Sequence, residues 1–147
     1  MTWRESDGPE ATRRLAAAFA RSLRGGDVVL LQGNLGMGKT CFAQGVLEGL
    51  GWTGAVNSPT FSLVQEYETE PPLAHLDLYR LKTAEEVWSL GLEELFESGC
   101  VLLVEWSERA AEVWPADAWR IRLEDVEGNA FARRICCERQ GRAAWPF

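Results

Sequence analysis

The chain has 147 residues, of which 46% are hydrophobic, and a formal net charge of −7 at pH 7. This length predicts a single domain over residues 1–147 with one hydrophobic core. No apolar run nears the roughly 18 residues of a membrane span. The acidic balance argues against strong direct binding to nucleic acid, because neutralising phosphates requires clustered positive charge.

The N-terminal segment and the cysteines together indicate a cytoplasmic protein. Residues 1–10 are polar and acidic, which predicts that no signal peptide is present. The four cysteines, Cys41, Cys100, Cys136 and Cys137, lack the spacing of a metal site. Cys136 and Cys137 are adjacent and would face opposite sides of a strand. We therefore expect reduced thiols that serve as packing residues.

The first predicted elements are a helix and a buried strand. Pro9 favours a helix start and Gly25–Gly26 a helix end, and the apolar residues between them recur at helical spacing. Residues 27–31, DVVLL, form a short β-branched run that is typical of a parallel strand buried on both faces.

The stretch after this strand fits the phosphate-binding P-loop. Gly33, Gly38, Lys39 and Thr40 match the pattern G-x-x-x-x-G-K-[ST]. The chain has only two lysines, and one of them stands at the position where a compact ammonium binds β- and γ-phosphates. The sequence therefore predicts that a nucleoside triphosphate is held here.

The context of the motif supports this interpretation. Residues 39–51 predict a helix of about three turns that ends at Gly51. In a strand, loop and helix of this kind, the backbone N–H groups of residues 34–40 would point at phosphate oxygens, at the positive end of the helix.

The remaining elements alternate between extended and helical segments. Residues 55–81 predict two strands joined near Pro71–Pro72. Thr83 and Glu86 have capping-box spacing, so a helix should begin at about residue 84. Residues 100–106, CVLLVEW, predict a second buried strand, and a short helix should follow it and stop at Pro115. Residues 118–138 alternate between apolar and polar and predict a hairpin that turns at Gly128–Asn129. The predicted fold class is a small α/β P-loop domain with a mixed central sheet, flanking helices and antiparallel hairpin additions.

Magnesium is expected beside the P-loop, because the charge of a triphosphate must be neutralised in the transition state. Thr40 offers one ligand. Glu105 ends the second buried strand and offers the second.

The segment AHLDLYR contains a further candidate. Strand periodicity puts His75, Asp77 and Tyr79 on one face. A lone histidine favours a structural role, whereas Asp77 is placed to orient an attacking water or to hold a metal-bound water. The alternative for Asp77 is a solvated aspartate on an edge strand.

Thr60, in the loop NSPTF, is the last candidate from the residues alone. Pro59 keeps Ser58 extended, and Thr60 then begins a strand. Its hydroxyl would sense the γ-phosphate or Mg²⁺, as in a switch loop. A simple turn with a capping serine explains the same pattern.

Three classes of P-loop protein compete. A GTPase needs a guanine-reading N-K-x-D, and neither lysine lies in such a setting. A small-molecule kinase usually has an arginine-rich lid. Arg80 and Arg109 are candidates for that role, but no lid insertion stands out. An ATPase accounts for the sequence best, and a P-loop kinase for an unidentified small molecule stays the alternative.

The order of these blocks resembles the TsaE (YjeE) family, P-loop ATPases of bacterial tRNA threonylcarbamoyladenosine biosynthesis. The resemblance covers essentially the whole chain. It rests on the segments GNLGMGKT, VNSPTFSLVQEYE, HLDLYRL, EEVWSLGLEELF and VLLVEWSERA. Ser107 departs from the pattern, since the family usually has proline there, and the turn after Trp106 is expected to be looser.

The resemblance implies roles for individual residues. Lys39 would hold the β- and γ-phosphates, and Thr40 and Glu105 would coordinate Mg²⁺. Asp77 would orient water or act as a base, and Thr60 would belong to the switch-like loop. Trp106 would shape the site and Thr12 would lie near the adenine. Either Arg133 or Arg134 would approach the nucleotide, and the resemblance does not choose between them. The residues expected to line the phosphates are Gly33, Asn34, Leu35, Gly36, Met37, Gly38, Lys39, Thr40 and Cys41.

The resemblance also implies partners. The family's ATPase acts on a complex of TsaD, which transfers the threonylcarbamoyl group to tRNA, with its paralogue TsaB. The tRNA would be contacted only through that complex, which agrees with the acidic charge. ATP hydrolysis would then serve a protein assembly.

Overall fold

The computed structural model describes residues 3–33, 38–56 and 63–147. Its helices are α1 (Pro9–Ala20), α2 (Lys39–Gly49), α3 (Ala84–Trp88) and α4 (Leu92–Ser98), with a 3₁₀ helix over Ser107–Val113. Its strands are β1 (Trp3–Ser6), β2 (Val28–Gln32), β3 (Val64–Tyr67), β4 (Leu73–Asp77), β5 (Val101–Glu105), β6 (Trp119–Val126), β7 (Asn129–Arg139) and β8 (Arg142–Ala143).

One mixed sheet organises the fold. Its strand order is β1-β7-β6-β2-β5-β4-β3, and β8 pairs with β7. The four central strands, β6, β2, β5 and β4, run parallel to one another, whereas β3, β7, β1 and β8 pair antiparallel. The predicted α/β P-loop architecture with a mixed sheet is confirmed.

Two apolar layers cover the sheet. On one face, Val29 and Leu31 of β2 pack in a cluster with α1 and α2. On the other face, Val28 and Leu30 pack in a second cluster that includes residues of α3, α4 and the 3₁₀ helix. A strand segment that is covered on both faces is apolar at every position, which is why residues 28–31, VVLL, form a continuous apolar run.

Helices α1 and α2 approach closely because glycines of α2 face small residues of α1. A Cβ at Gly45 would lie 2.3 Å from the Arg13 carbonyl oxygen and 2.7 Å from the Ala16 Cβ. At Gly49 it would lie 2.5 Å from the Ala17 carbonyl oxygen. These distances fix the axis of α2, and with it the position of the residues that begin this helix.

Several predicted elements differ in detail from the structure. The helix predicted from residue 84 begins there, with the Thr83 hydroxyl accepting from the Glu86 backbone N–H at 3.2 Å. It ends at Trp88, however, and a new helix begins after Gly91, whose φ is 85°. The hairpin turn lies at Glu127–Gly128, so that Asn129 already belongs to β7. Strand β1 was not predicted from the sequence.

Each of the two predicted hairpins contributes one strand to the interior of the sheet, which their antiparallel pattern did not indicate. Strand β4 lies between β3 and β5, so the alternative of an edge-strand position for Asp77 is wrong. Strand β6 pairs in parallel with β2. One strand of each hairpin therefore belongs to the parallel core.

Within the described ranges, the structure contains no helix that is both long and apolar enough to cross a membrane.

Candidate functional site

The candidate site lies where β2, β5 and β4 end at the same edge of the sheet. In an open parallel sheet, ligands bind outside the carboxyl ends of the strands. Glu105 is the last residue of β5 and pairs in register with Leu31 of β2 and with Asp77, the last residue of β4. The topology thus brings two carboxylates from separate segments to one edge, beside the start of α2.

Helix α2 begins with the residues of the P-loop motif. Gly38 precedes the helix with a φ of 92°, a backbone conformation that glycine adopts without the cost of a side chain. The first helical hydrogen bond runs from the Phe42 N–H to the Gly38 carbonyl. Lys39, Thr40 and Cys41 thus form the first turn, where backbone N–H groups lack helical partners and attract anions.

The Lys39 side chain turns into the site. It is 7% exposed, and its Nζ lies 3.8 Å from Oε1 of Glu105. Its Nζ also lies 4.6 Å from the centre of the Trp106 ring, within the range of a cation–π contact. The lysine that the motif selects is therefore held at this edge by a carboxylate and an aromatic ring.

Glu105 is buried and has a second partner. It is 6% exposed, and its Oε2 lies 2.7 Å from Nε2 of His75. His75 itself is 2% exposed. The sequence indicated a structural histidine and gave no sign of this contact, because a pair between β4 and β5 leaves no local pattern. A single histidine inside an apolar strand segment was the available signal.

Trp106 adopts a backbone conformation that a bulky residue rarely takes. Its φ is 60° and its ψ is 39°. Such a conformation costs on the order of 1–3 kcal/mol and is concentrated at functional sites. It turns the chain sharply after Glu105. The Tyr79 ring lies 4.9 Å from the Trp106 ring, and the Arg109 guanidinium lies 5.5 Å from it. Sequence reasoning did not predict this stack, in which Arg109 is packed on aromatic rings.

Ser107, which replaces the family's usual proline, is integrated in a buried turn. It is 2% exposed, and its carbonyl accepts a hydrogen bond from the Trp114 indole N–H at 2.9 Å. The expectation of a looser turn finds no support in these contacts.

Asp77 is half-buried at the end of β4. Its Oδ1 accepts a hydrogen bond from the Tyr79 backbone N–H at 3.0 Å, so the chain turns directly after the strand. Tyr79 therefore lies beyond β4, and the predicted shared face holds for His75 and Asp77 within the strand. Asp77 thus lies beside Glu105 at the carboxyl edge of the sheet, and its role toward a water stays a prediction.

The two arginines left open by the sequence lie on opposite faces of β7. Arg133 pairs in register with Ser6, whose hydroxyl contacts Thr12 at 2.6 Å, so Arg133 lies on the face covered by α1. The Arg134 guanidinium lies 4.5 Å from the Trp3 ring on the other face. Of the two, Arg133 shares a face with Thr12.

Thr12 is 2% exposed, and its hydroxyl is part of a hydrogen-bond chain. The Ser6 hydroxyl donates to the Gly8 carbonyl at 2.8 Å, so Thr12 must be the donor to Ser6. A contact between Thr12 and adenine stays a prediction. The predictions for Asn34, Leu35, Gly36, Met37 and Thr60 fall outside the described residues.

A cleft of about 270 Å³ opens beside Gly33 at the same edge of the sheet. It lies between the turn after β5 and the end of β6. Its lining residues are Gln32, Gly33, Trp106, Glu108, Arg122, Leu123 and Glu124.

The available donors suit magnesium better than a metal that needs a full protein cage. Thr40 is exposed at the start of α2, and Glu105 presents Oε1 toward Lys39. Mg²⁺ commonly takes one or two protein oxygens and completes its shell with phosphates and water. Among the described residues there is no group of three or more His, Cys, Asp or Glu side chains that would hold a metal by themselves.

The fold and the site geometry define this chain as a P-loop NTPase-type α/β protein. It is similar to the crystal structure of YdiB from Bacillus subtilis, with a TM-score of 0.77 and 35% identity, over 91% of this chain and 82% of that one. The family model "Threonylcarbamoyl adenosine biosynthesis protein TsaE" matches residues 6–135. The chain belongs to the TsaE family.

Two curated relatives agree with this assignment. Both are named tRNA threonylcarbamoyladenosine biosynthesis protein TsaE. The protein from Bacillus subtilis is 43% identical over 84% of this chain and 77% of its own length. The protein from Rickettsia bellii is 40% identical over 86% of this chain and 87% of its own length.

Proposed function

We propose that this chain binds ATP with Mg²⁺ and hydrolyses it to ADP and phosphate in the pathway of tRNA threonylcarbamoyladenosine biosynthesis. Its task is to support threonylcarbamoylation of the adenosine 3′ of the anticodon, in tRNAs that read codons starting with A. It acts on a TsaB–TsaD complex, and the tRNA is contacted only through that complex.

The observation that carries the proposal is the meeting of Lys39 and Glu105 at the carboxyl edge of the sheet. A cation that begins a helix and a carboxylate that ends the neighbouring parallel strand lie 3.8 Å apart. An ammonium and helix N–H groups suit a polyphosphate, and the carboxylate suits its counter-cation. Membership of the TsaE family supports the biological assignment.

Each residue then has a chemical task. Lys39 exchanges its contact with Glu105 for the β- and γ-phosphates and stabilises negative charge in the transition state. Thr40 and Glu105 would hold Mg²⁺, which supplies further neutralisation of phosphate charge. Asp77, at the end of the adjacent strand, orients the water that attacks the γ-phosphate.

The experiment follows the γ-phosphate. The purified chain is incubated with Mg²⁺ and γ-labelled ATP, with and without TsaB–TsaD, and with a panel of small hydroxyl and amine acceptors. Label that appears as inorganic phosphate in step with ADP supports an ATPase. Label on an acceptor supports the kinase alternative. ATP binding without ADP formation under every condition would leave a nucleotide-binding module and overturn the catalytic part of the proposal.

A further inference from the structure

His75 is a buried polar residue whose described side-chain contact is with Glu105. The ring is 2% exposed, and its Nε2 lies 2.7 Å from Oε2 of the glutamate. A carboxylate oxygen accepts hydrogen bonds, so the hydrogen lies on Nε2 and the histidine is the donor. The hydrogen bond joins β4 to β5 within the sheet.

The histidine is poorly suited to this position on grounds of packing alone. Its other ring nitrogen, Nδ1, is buried and has no hydrogen-bond partner among the residues that the structure describes. Its register partner Leu103, and Leu73 two positions earlier in β4, belong to the apolar core. A buried polar atom without a partner is destabilising, so a leucine would suit the core better. The hydrogen bond to Glu105 is therefore the contact that explains why a histidine occupies this position.

The contact fixes the orientation of the glutamate side chain. With Oε2 held by His75, the other oxygen, Oε1, is the one that faces Lys39 at 3.8 Å. Without the histidine, the carboxylate plane would be free to rotate about the side-chain bonds, and no oxygen would be held in the direction of Lys39. A hydrogen-bond partner behind a metal-binding group typically raises metal affinity by orienting that group.

We infer that His75 is a positioning residue, which orients Glu105 so that Oε1 is presented to the Mg²⁺ of the bound nucleotide. This rests on the proposed function, in which Glu105 is a magnesium ligand. His75 does not contact the nucleotide and takes no part in proton transfer. It acts through Glu105 alone.

The test measures binding of a non-hydrolysable β,γ-imido ATP analogue by calorimetry, with Mg²⁺ and with EDTA. The ratio of the two affinities is the magnesium contribution. We expect His75→Leu to reduce this ratio about tenfold, in line with other supporting groups of metal ligands. The affinity in EDTA should stay within threefold of the original chain. His75→Gln keeps an N–H donor at about the reach of Nε2 and should restore most of the ratio.

A double-mutant cycle separates positioning from a general structural effect. In a Glu105→Gln background the magnesium contribution is already reduced, so His75→Leu should change it by less than twofold. Urea unfolding of each variant checks folding. If His75→Leu does not fold, His75→Asn replaces it, because its shorter amide ends short of Glu105 while keeping a polar side chain.

The outcomes are distinct. An unchanged magnesium contribution in a folded His75→Leu chain would overturn this inference and leave the proposed function intact. Equal losses with Mg²⁺ and with EDTA would also overturn it, since a distorted site would then explain the effect. If the original chain shows no magnesium contribution at all, the proposed function fails and this inference fails with it.

Discussion

Lys39 combines burial, a positive charge and two partners, which is unusual for a lysine. It is 7% exposed, whereas lysine is rarely buried unless it is paired. Its contacts with Glu105 and Trp106 hold the ammonium at the edge where β2 and β5 end. A polyphosphate carries more negative charge than the single carboxylate of Glu105, so it would compete for this ammonium under the proposed function.

The first prediction concerns this lysine. We expect Lys39→Ala to abolish ATP hydrolysis, because a partly desolvated contact with phosphate contributes on the order of 2–4 kcal/mol to transition-state stabilisation. The chain's other lysine provides a matched control, since Lys82 is exposed before α3 and Lys82→Ala should leave the rate unchanged. Phosphate release measures both. Hydrolysis by Lys39→Ala within twofold of the original chain would refute the P-loop assignment.

The second prediction separates the two carboxylates. They are register neighbours, but Glu105 is buried beside Lys39 and Asp77 is half-buried at the end of the next strand. Glu105→Gln should weaken Mg²⁺-dependent nucleotide binding. Asp77→Asn should leave binding largely intact and slow hydrolysis. Calorimetric titration and single-turnover assays measure the two effects, and the opposite pattern would show that the roles are reversed.

At the scale of elements, the contact between α1 and α2 determines where the P-loop helix lies. Gly45 and Gly49 face Ala16 and Ala17 so closely that a single added methyl group would meet a backbone carbonyl. Backbone atoms in a packed helix pair have little freedom to move apart. The position of Lys39 at the start of α2 thus depends on residues well outside the site.

The third prediction tests this packing. Gly45→Ala should lower the free energy of unfolding by about 1–3 kcal/mol, because overpacking outweighs the better helix propensity of alanine. Gly8→Ala is the control: a Cβ there would meet no atom within 4 Å, and its φ of 175° is ordinary extended backbone. The control should cost less than about 1 kcal/mol. Urea unfolding measures both, and equal losses would contradict the packing argument.

Strand β7 carries two buried thiols with shifted pKa values. Burial raises the pKa of Cys137 to about 12. Burial and a hydrogen bond to Glu138 raise the pKa of Cys136 to about 11. All four cysteines are free, as expected for packing residues. Both thiols are harder to ionise in the folded chain than in the unfolded chain, where an ordinary thiol has a pKa of about 8.5.

The fourth prediction follows from that difference. The folded chain keeps its thiol protons to higher pH than the unfolded chain, so the thiols' stabilising contribution is complete below about pH 8.5 and is lost as pH rises toward 12. Between pH 8 and 10, the unfolding free energy of the original chain should fall by about 1–2 kcal/mol more than that of Cys137→Val, which lacks the thiol.

Urea unfolding across that interval measures the effect. Between pH 6 and 8, where the thiol stays protonated in both states, the two proteins should show the same pH dependence. An identical loss for both proteins between pH 8 and 10 would contradict the shifted pKa of Cys137.

For the whole molecule, the acidic charge and the family membership lead to a fifth prediction. With a net charge of −7, the chain by itself should bind tRNA weakly at physiological salt. ATP turnover should be slow for the isolated chain and at least several-fold faster with TsaB–TsaD, because a partner that contacts the loops beside the nucleotide can complete the site. Thr60→Ala should reduce this stimulation more than it reduces ATP binding.

Four phosphate-release assays test the fifth prediction: the chain alone, with tRNA, with TsaB–TsaD, and the Thr60→Ala chain with TsaB–TsaD. A filter-binding titration measures the affinity for tRNA. An equal rate for the chain alone and with its partners would falsify the partner-dependent interpretation.

Much of the fold was readable from the sequence because its signals are local. The buried runs of β2 and β5, the capping of α3 by Thr83 and the alternation of Trp119, Ile121 and Leu123 each lie within a few residues. The glycines and lysine of the P-loop motif are also contiguous, and Lys39 lies at the start of a helix as the motif requires.

The tertiary structure decided what depends on contacts between distant segments. It placed β4 inside the sheet, brought β6 beside β2, and paired the N-terminal β1 with β7. It joined His75 to Glu105 across 30 positions of the chain and brought Tyr79 and Arg109 to Trp106.

The physical reason is the range of the forces that act. Helix caps, turns and apolar periodicity arise from neighbouring residues, so a single sequence displays them directly. The neighbour of a strand is selected by burial of whole faces and by backbone pairing over the complete sheet. The sequence by itself therefore determined the P-loop motif, the strand before it and the helix after it. Only the assembled sheet decided that a buried histidine stands behind the carboxylate that faces this helix.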